Sequence, residues 1–312
     1  MKNIYFFKNY IKYSEYDVTM NRIASYFYNS EFIITSEKLN DPNNIVFFID
    51  AYKAGLVLSN RTCKYIILIG LKDLNSFVKD KSKFSVVQSC LKRASRVIVF
   101  DQFMKIDLSL QVPFINDNKV SVVSQAVSRI LVKPFNLRSY LGIHDNRPLF
   151  VMIGLQSDPL YLDQVFDFLY NIDKTTLIVI NKVSEEKVIF SDNVKIIKNL
   201  DRSRIHSVLQ QVDGLINCSI NETMNNTILE AMKIGCPVYA RRNLGTMNLI
   251  CNYINGFIFE TPEEFVKLRK LDTSYIITEA SKIVNDNYDY LEEKKAYLDI
   301  IIELTKIKKA TI

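Results

Sequence analysis

Short apolar runs without polar interruption constrain this chain more than any other feature. "NIVFFID" (44–50), "KYIILIG" (64–70) and "RVIVF" (96–100) show none of the apolar–polar alternation of a strand with one wet face. A strand that does not alternate is covered on both faces, and helices cover it when they separate successive strands. The pattern therefore predicts parallel sheets sandwiched between helices, an α/β fold.

The runs fall into two groups. The first adds "NIYFF" (3–7), "FIIT" (32–35) and "KVSVV" (119–123), with predicted helices over 19–29, in "YKAGLVLSN" and from about Ser76 to Ala94. From Ser124 to Asn146 the periodicity fades, and Pro134, Gly142, "HDN" and Pro148 read as a linker. The pattern then restarts with "PLFVMIG" (148–154), "TTLIVIN", "NVKIIKN", "GLINCS" (214–219) and "CPVYA" (236–240). Helices are predicted at 159–171, over "RSRIHSVLQQ" and at 226–234. Two Rossmann-like, doubly wound domains are expected, at 1–128 and 129–290. A last helical stretch, about 274–309, places Tyr297, Ile300, Ile301, Leu304 and Ile307 on one face.

Composition narrows the function classes. A chain of 312 residues has ample material for two cores. It contains no run of about eighteen apolar residues, so no membrane-spanning helix is expected. Lys8, Lys12 and Glu15 break the apolar N-terminus, which reads as strand and loop rather than a signal peptide. The net charge of +6 is too mild to indicate nucleic acid and suits a small anionic ligand. Five scattered cysteines predict free thiols in a reducing, cytoplasmic setting. With only His144 in the linker and His206 in a helix, no metal site is expected, and His206 reads as a surface or packed residue.

The stretch "NETMNNTILEAMKIGCPV" (221–238) places Glu222 and Glu230 around a helix-opening run just beyond "GLINCS". Ligands of open α/β sheets bind beyond the carboxyl ends of strands, and a helix N-terminus favours a phosphate. Asn225 or Asn226 is placed to cap that helix. Glu230, about one turn inside, suits the vicinal hydroxyls of a ribose, and Glu222 a second hydroxylated group across the phosphates. On spacing alone the simpler account is a solvated loop acid and a helix acid favoured by the dipole.

Resemblance changes that weighing. "SINETMNNTILEAMKIGCPVYARRNLGTMNLICNYINGFIFETPEEF" resembles the C-terminal signature of the family-4 glycosyltransferases of GT-B fold: an acid, seven residues, a second acid, then "EAM-x-x-G-x-PV" and "NG". The resemblance implies two Rossmann-like domains facing a cleft, with the final helix (291–312) returning to the first. It implies a UDP- or GDP-sugar donor, retention of anomeric configuration and no cofactor or metal, in keeping with the absence of Asp-x-Asp. It casts Glu222 as the catalytic acid that positions the donor sugar and Glu230 as the ribose ligand. Gly154 and Asn225, Asn226 and Thr227 would hold phosphate, with Gly245 and Lys182 nearby.

The chain departs from the family pattern at several points. Gln156 stands where an Arg that grips the diphosphate is expected, and the companion Lys is absent. Thr223 and Leu249 replace a glycine and an acid, and the loop after the first strand has no glycine. Asp50 falls where an acceptor-side histidine is usual. Lys182, Arg241 and Arg242 follow neighbouring strands and are candidate replacement cations. Two readings stay open: an active retaining transferase with an unknown acceptor, or a degenerate relative that binds nucleotide-sugar or acts as a scaffold. A basic helix at 78–96, with Lys79, Lys81, Lys83, Lys92 and Arg93, is a candidate for peripheral contact with an anionic membrane, though a solvated face explains it as well.

Overall fold

The computed structural model describes residues 3–7, 15–33, 37–70, 80–127, 129–153, 176–181, 194–198, 200–219 and 226–305. The chain divides into two compact units, Met1–Ala126 with Tyr290–Ile312, and Val127–Asp289.

The first unit is built on six strands: Ile4–Phe7 (β1), Ser30–Ile33 (β2), Ile45–Ile49 (β3), Lys64–Leu68 (β4), Arg96–Val99 (β5) and Val120–Val122 (β6). They lie in the order β2-β1-β3-β4-β5-β6, and every pair is parallel. The uninterrupted apolar runs are the central strands, with Val46, Phe47, Ile66, Ile67, Val97 and Ile98 fully buried. Helices Glu15–Ala24 (α1), Ala51–Leu58 (α2), Lys81–Arg93 (α3) and Gln102–Gln111 (α4) connect them. Gly55 lets α2 and α3 approach closely, since a Cβ there would sit 2.6 Å from Val86 Cγ1 and 3.0 Å from the Val86 carbonyl.

The second unit repeats the architecture with Leu149–Ile153 (β7), Thr176–Asn181 (β8), Val194–Lys198 (β9), Gly214–Asn217 (β10), Val238–Arg241 (β11) and Phe257–Phe259 (β12). Their order is β12-β11-β10-β7-β8-β9, again parallel throughout. Counted from β7 this is 3-2-1-4-5-6 reversed, the doubly wound order of dinucleotide-binding sheets. The described helices of this unit are Leu137–Leu141 (α5), Arg202–Leu209 (α6), Asn226–Ile234 (α7), Leu244–Leu249 (α8), Pro262–Leu268 (α9) and Ser274–Asn287 (α10). The expected helix at 159–171 lies outside the described residues.

Several boundaries differ from the sequence-based expectation, each for a local reason. The helix expected over 19–29 is Glu15–Ala24, and tight turns after it bring Tyr26 and Phe27 both into the core. The linker contains α5, capped by the Asn136 side chain and ended by Gly142 in the left-handed region, φ 64°. The basic helix expected at 78–96 is described as α3, opened by the Asp80 side chain and ended at Ala94. Arg96 belongs to β5 instead, where it donates to the Asn118 carbonyl and pairs with Glu303. Three of the cations expected on that helix are engaged locally. Lys83 pairs with Asp80 at 3.1 Å, Arg93 donates to the Ser59 and Arg61 carbonyls, and Lys92 lies 4.3 Å from the centre of the Phe114 ring. The last helical stretch is two helices, α10 and Tyr290–Thr305 (α11), broken at Tyr288–Asp289 where the chain passes from one unit to the other. Strand β12 was not anticipated, because three apolar residues between turns carry no periodicity.

A buried ion pair ties α11 to α1. Glu293 accepts hydrogen bonds from Arg22 Nε (2.8 Å), Arg22 Nη2 (3.0 Å) and the Tyr26 hydroxyl. Burial, reinforced by the carboxylate, pushes the Tyr26 hydroxyl well above its ordinary pKa, so it stays a donor. One turn on, Tyr297 is wholly buried beside Tyr26 and Phe47, and Lys64 Nζ donates to the Leu304 carbonyl at 2.8 Å.

Glu293→Ala should cost about 3–5 kcal/mol in urea unfolding, since it strands a buried guanidinium. The double change Arg22→Met with Glu293→Leu should recover most of that loss; equal losses in the single and double variants would rule this account out.

All five cysteines are free; Cys63, Cys90, Cys218 and Cys236 are buried and Cys251 is exposed. Burial pushes the Cys63 thiol up to about 11 and those of Cys90, Cys218 and Cys236 up to about 12. A thiolate-selective reagent at pH 8 should therefore label Cys251 alone in the native protein, and all five only after denaturation. Rapid native labelling at a second site, read by peptide mass spectrometry, would contradict this.

Candidate functional site

The strand order of the second unit reverses between β7 and β10, and the crevice beyond their carboxyl ends is where such sheets bind ligands. Of the residues expected there, Gly154, Gln156, Lys182, Glu222 and Asn225 lie outside the described residues. Asn226, Thr227, Glu230 and Gly245 are described.

Beyond β10, Ser219 turns the chain, its amide donating to Asn217 Oδ1 at 3.1 Å. Helix α7 then runs from Asn226 to Ile234 and stops at Gly235, whose φ of 86° ends it. Asn226 is the first helical residue; it is buried, and its Oδ1 accepts no hydrogen bond among the described residues. Thr227 follows, half-buried.

Glu230 is the fifth residue of α7 and only 2% exposed. Its Oε1 accepts from Arg202 Nε at 2.8 Å and from Arg202 Nη2. Its Oε2 lies 3.4 Å from His206 Nε2. Arg202 opens α6 beyond β9, where the Asp201 side chain caps the helix by accepting from the Arg204 amide. His206, one turn later, is fully packed. Its Nδ1 lies 2.9 Å from the Leu131 carbonyl and 3.1 Å from the Leu131 amide, while Nε2 is buried with no hydrogen-bond partner among the described residues. Ser207 and Gln211 continue the docking, accepting from the Lys133 and Leu137 amides. The 131–137 segment thus lies along α6 and holds the imidazole in place.

Across the same edge, Asn243 joins three pieces of chain. Its Nδ2 donates to the Ser219 carbonyl at 2.7 Å and more weakly to that of Arg241, while Oδ1 accepts from the Thr246 amide at 2.9 Å. Thr246 Oγ1 accepts in return from the Asn243 amide, completing a capping box. Gly245 is buried inside that turn. Of the candidate cations, Arg241 is half-buried at the end of β11, and Arg242 is exposed and pairs with Glu260 at 2.5 Å.

Asp50 belongs to the first unit. It ends β3, beside the reversal between β1 and β3, and caps α2 by accepting from the Lys53 amide at 3.0 Å. Its φ of 78° is rare for a residue with a Cβ, and such strain concentrates at functional positions. Among the described residues no group of three His, Cys, Asp or Glu side chains is placed to hold a metal ion, and no helix is long and apolar enough to cross a membrane.

Arg202 and His206 were missed as partners of Glu230. Arg202 meets the same test that singled out Lys182, Arg241 and Arg242, a cation just beyond a strand, and a capping Asp in front of it marks the helix start.

Two doubly wound sheets, each in its own unit, with a helix-borne acid beyond β10, define the GT-B class of glycosyltransferase folds. The sequence profile described as "Glycosyl transferases group 1" matches residues 181–271, which run from the end of β8 past β12. Glycosyltransferase 1 domain-containing protein 1 of Xenopus tropicalis is 30% identical over 298 residues, covering 88% of this chain and 85% of the relative. The chain belongs to the group 1 glycosyl transferase family. Among solved structures, HepE of Anabaena, determined with UDP-glucose, matches with a TM-score of 0.76 at 16% identity, covering 98% of this chain and 100% of that one. Sucrose-phosphate synthase of Thermosynechococcus elongatus matches with a TM-score of 0.71 at 12% identity, covering 84% and 74%. At these identities the likeness is one of fold.

Asn243→Ala should release the joined loops. Loss of the cap is worth about 1–2 kcal/mol, and the Thr246 amide should exchange with deuterium roughly tenfold or more faster. Unchanged protection at Thr246 would show that the cap does not hold this edge.

Proposed function

We propose that the protein is a retaining, metal-independent glycosyltransferase that binds a UDP- or GDP-sugar on its second unit. The anomeric carbon–oxygen bond to the diphosphate breaks, an acceptor hydroxyl bonds to that carbon, and its proton leaves with the products. Glu230 accepts the ribose hydroxyls. Glu222 positions the donor sugar. The backbone at Gly154 and at Asn225, Asn226 and Thr227 binds the diphosphate, with Gln156, Lys182 and Gly245 lining the same edge. Asp50, strained at the reversal of the first sheet, serves the acceptor side.

One observation carries this reading: a buried carboxylate, Glu230, one turn inside the helix that follows β10, beside the reversal of strand order. Family membership supports it, and HepE, a protein of the same fold, was determined with UDP-glucose. Gln156 in place of an Arg, with the companion Lys absent, favours a second reading, a nucleotide-sugar binder without turnover. Losing two charge-assisted contacts to the leaving group would cost about one to three decades in rate each. Donor hydrolysis and thermal shift across UDP- and GDP-sugars separate the two: turnover selects the transferase, and binding alone the second reading.

The roles of the two acids differ measurably. Glu230→Ala should weaken UDP or GDP by about 1.5–3 kcal/mol, the range for a hydrogen bond to a charged group. Glu222→Ala should spare the free nucleotide and weaken only the nucleotide-sugar. If titration calorimetry finds neither affinity changed in either variant, neither acid contacts the ligand and the reading fails.

A further inference from the structure

We infer that Arg202 and His206 are positioning residues that hold the Glu230 carboxylate with one oxygen saturated and the other presented to the ribose. This rests on the reading of Glu230 as the ribose ligand.

Each carboxylate oxygen accepts two hydrogen bonds in favourable directions. In the usual fork–fork pair, an arginine gives one N–H to each oxygen. Arg202 does otherwise: Nε and Nη2 both converge on Oε1. Oε1 is thereby filled, and Oε2 accepts no hydrogen bond among the described residues. Oε2 faces His206 Nε2 at 3.4 Å, and that nitrogen is itself buried without a partner. Two polar atoms thus stand side by side, both short of a partner, on a carboxylate whose other half is complete.

The supports cannot easily shift. His206 is fixed through Nδ1 on the Leu131 backbone, and the segment it rests on is docked again through Ser207 and Gln211. Arg202 stands at the capped start of α6, and its side chain is 35% exposed, so its guanidinium meets solvent on one side and Glu230 on the other. The ion pair neutralises Glu230 and stops the carboxylate from turning Oε1 outward. The capacity left over, two acceptor directions on Oε2 and a ring nitrogen beside it, matches vicinal hydroxyls, each of which both donates and accepts. A carboxylate fixed before binding does not lose rotational freedom when the ligand arrives, which raises affinity without adding a contact.

The test deletes hydroxyls from the ligand and supports from the protein. UDP and 2′,3′-dideoxy-UDP, and the corresponding guanosine pair, are titrated against the full chain and against Arg202→Ala, Arg202→Lys and His206→Gln, with thermal unfolding as the fold control. The wild type should prefer the ribonucleotide by about 10- to 100-fold, the value of hydrogen bonds to a charged group. Arg202→Ala should cut that preference to roughly threefold or less while leaving the dideoxy nucleotide unchanged. Arg202→Lys and His206→Gln should fall between. A purely structural role would weaken both nucleotides alike and keep the ratio, and that result overturns the inference. It is likewise overturned if the ratio survives in Arg202→Lys should Arg202→Ala not fold. A wild type that does not discriminate at all removes the ribose role of Glu230 itself, and the inference with it.

Discussion

Every strand pair in both sheets is parallel, and the consequences of that arrangement set the rest of the molecule. A parallel connection must cross the sheet, so the central strands are covered on both faces and, within each sheet, every carboxyl end opens on the same edge. Helix starts collect at that edge, each with unsatisfied N–H groups. Most described starts are closed by their own chain: Asp50 after β3, Asp101 after β5, Asp201 after β9 and Asn243 after β11 each accept a backbone amide of the helix they precede. A helix end whose amides are already bonded has less to offer an anion. The start of α7, beyond β10 and beside the reversal of strand order, is preceded by residues outside the described ones, and its first helical residue, Asn226, is buried.

The two units each bury a glutamate, and the contrast between them separates structure from site. Both oxygens of Glu293 are bonded. Arg22 spans the two and Tyr26 adds a third donor, and the effect is to lock α11 onto α1. Glu230 is half complete. Its arginine spends two donors on one oxygen, and the histidine 3.4 Å from the other makes no hydrogen bond to it. Burial costs each carboxylate several kcal/mol of lost hydration. Glu293 has a partner on each oxygen, whereas Glu230 has one oxygen without a hydrogen bond among the described residues, at the edge where a parallel sheet receives its ligand.

The strands were legible because burial on both faces writes itself into consecutive residues. "NIVFFID" and "KYIILIG" could be little else, and α7 was located to the residue because a polar opening and Gly235 bracket it. Three consecutive apolar residues between turns are too few to distinguish a strand from any other buried segment, which is why Phe257–Phe259 went unseen. The break at Tyr288–Asp289 did leave a trace, the poor helix formers of "NDNYD" (285–289), but the apolar spacing on either side of it masked the stop. At the site, Glu230 was legible as a position and not as an environment. Its partner Arg202 is twenty-eight residues away in sequence, joined only by the packing of α6 beside α7. His206 looked like any histidine on an amphipathic helix until the 131–137 segment was seen to lie against it. The strained backbone of Asp50 has no trace in the sequence at all.

Charge is distributed here differently from what the family resemblance leads one to expect. The sequence lacks the arginine and lysine expected to grip the diphosphate after β7, yet a cation does stand beyond β9, and it is committed to Glu230. On the proposed reading, the acid that faces the ribose enters the site already neutralised. On that reading, phosphate binding falls mainly to backbone amides and the dipole of α7, with Lys182 beside them, interactions that fall off within the first turn. A site of that kind would gain selectivity from the hydroxyls of the ribose more than from the charge of the diphosphate. It would hold a nucleotide by shape and hydrogen bonding while giving less help to a departing anion. The same arrangement thus accommodates firm binding and slow transfer without contradiction, and places the difference between an active transferase and a silent binder in the residues that follow β7.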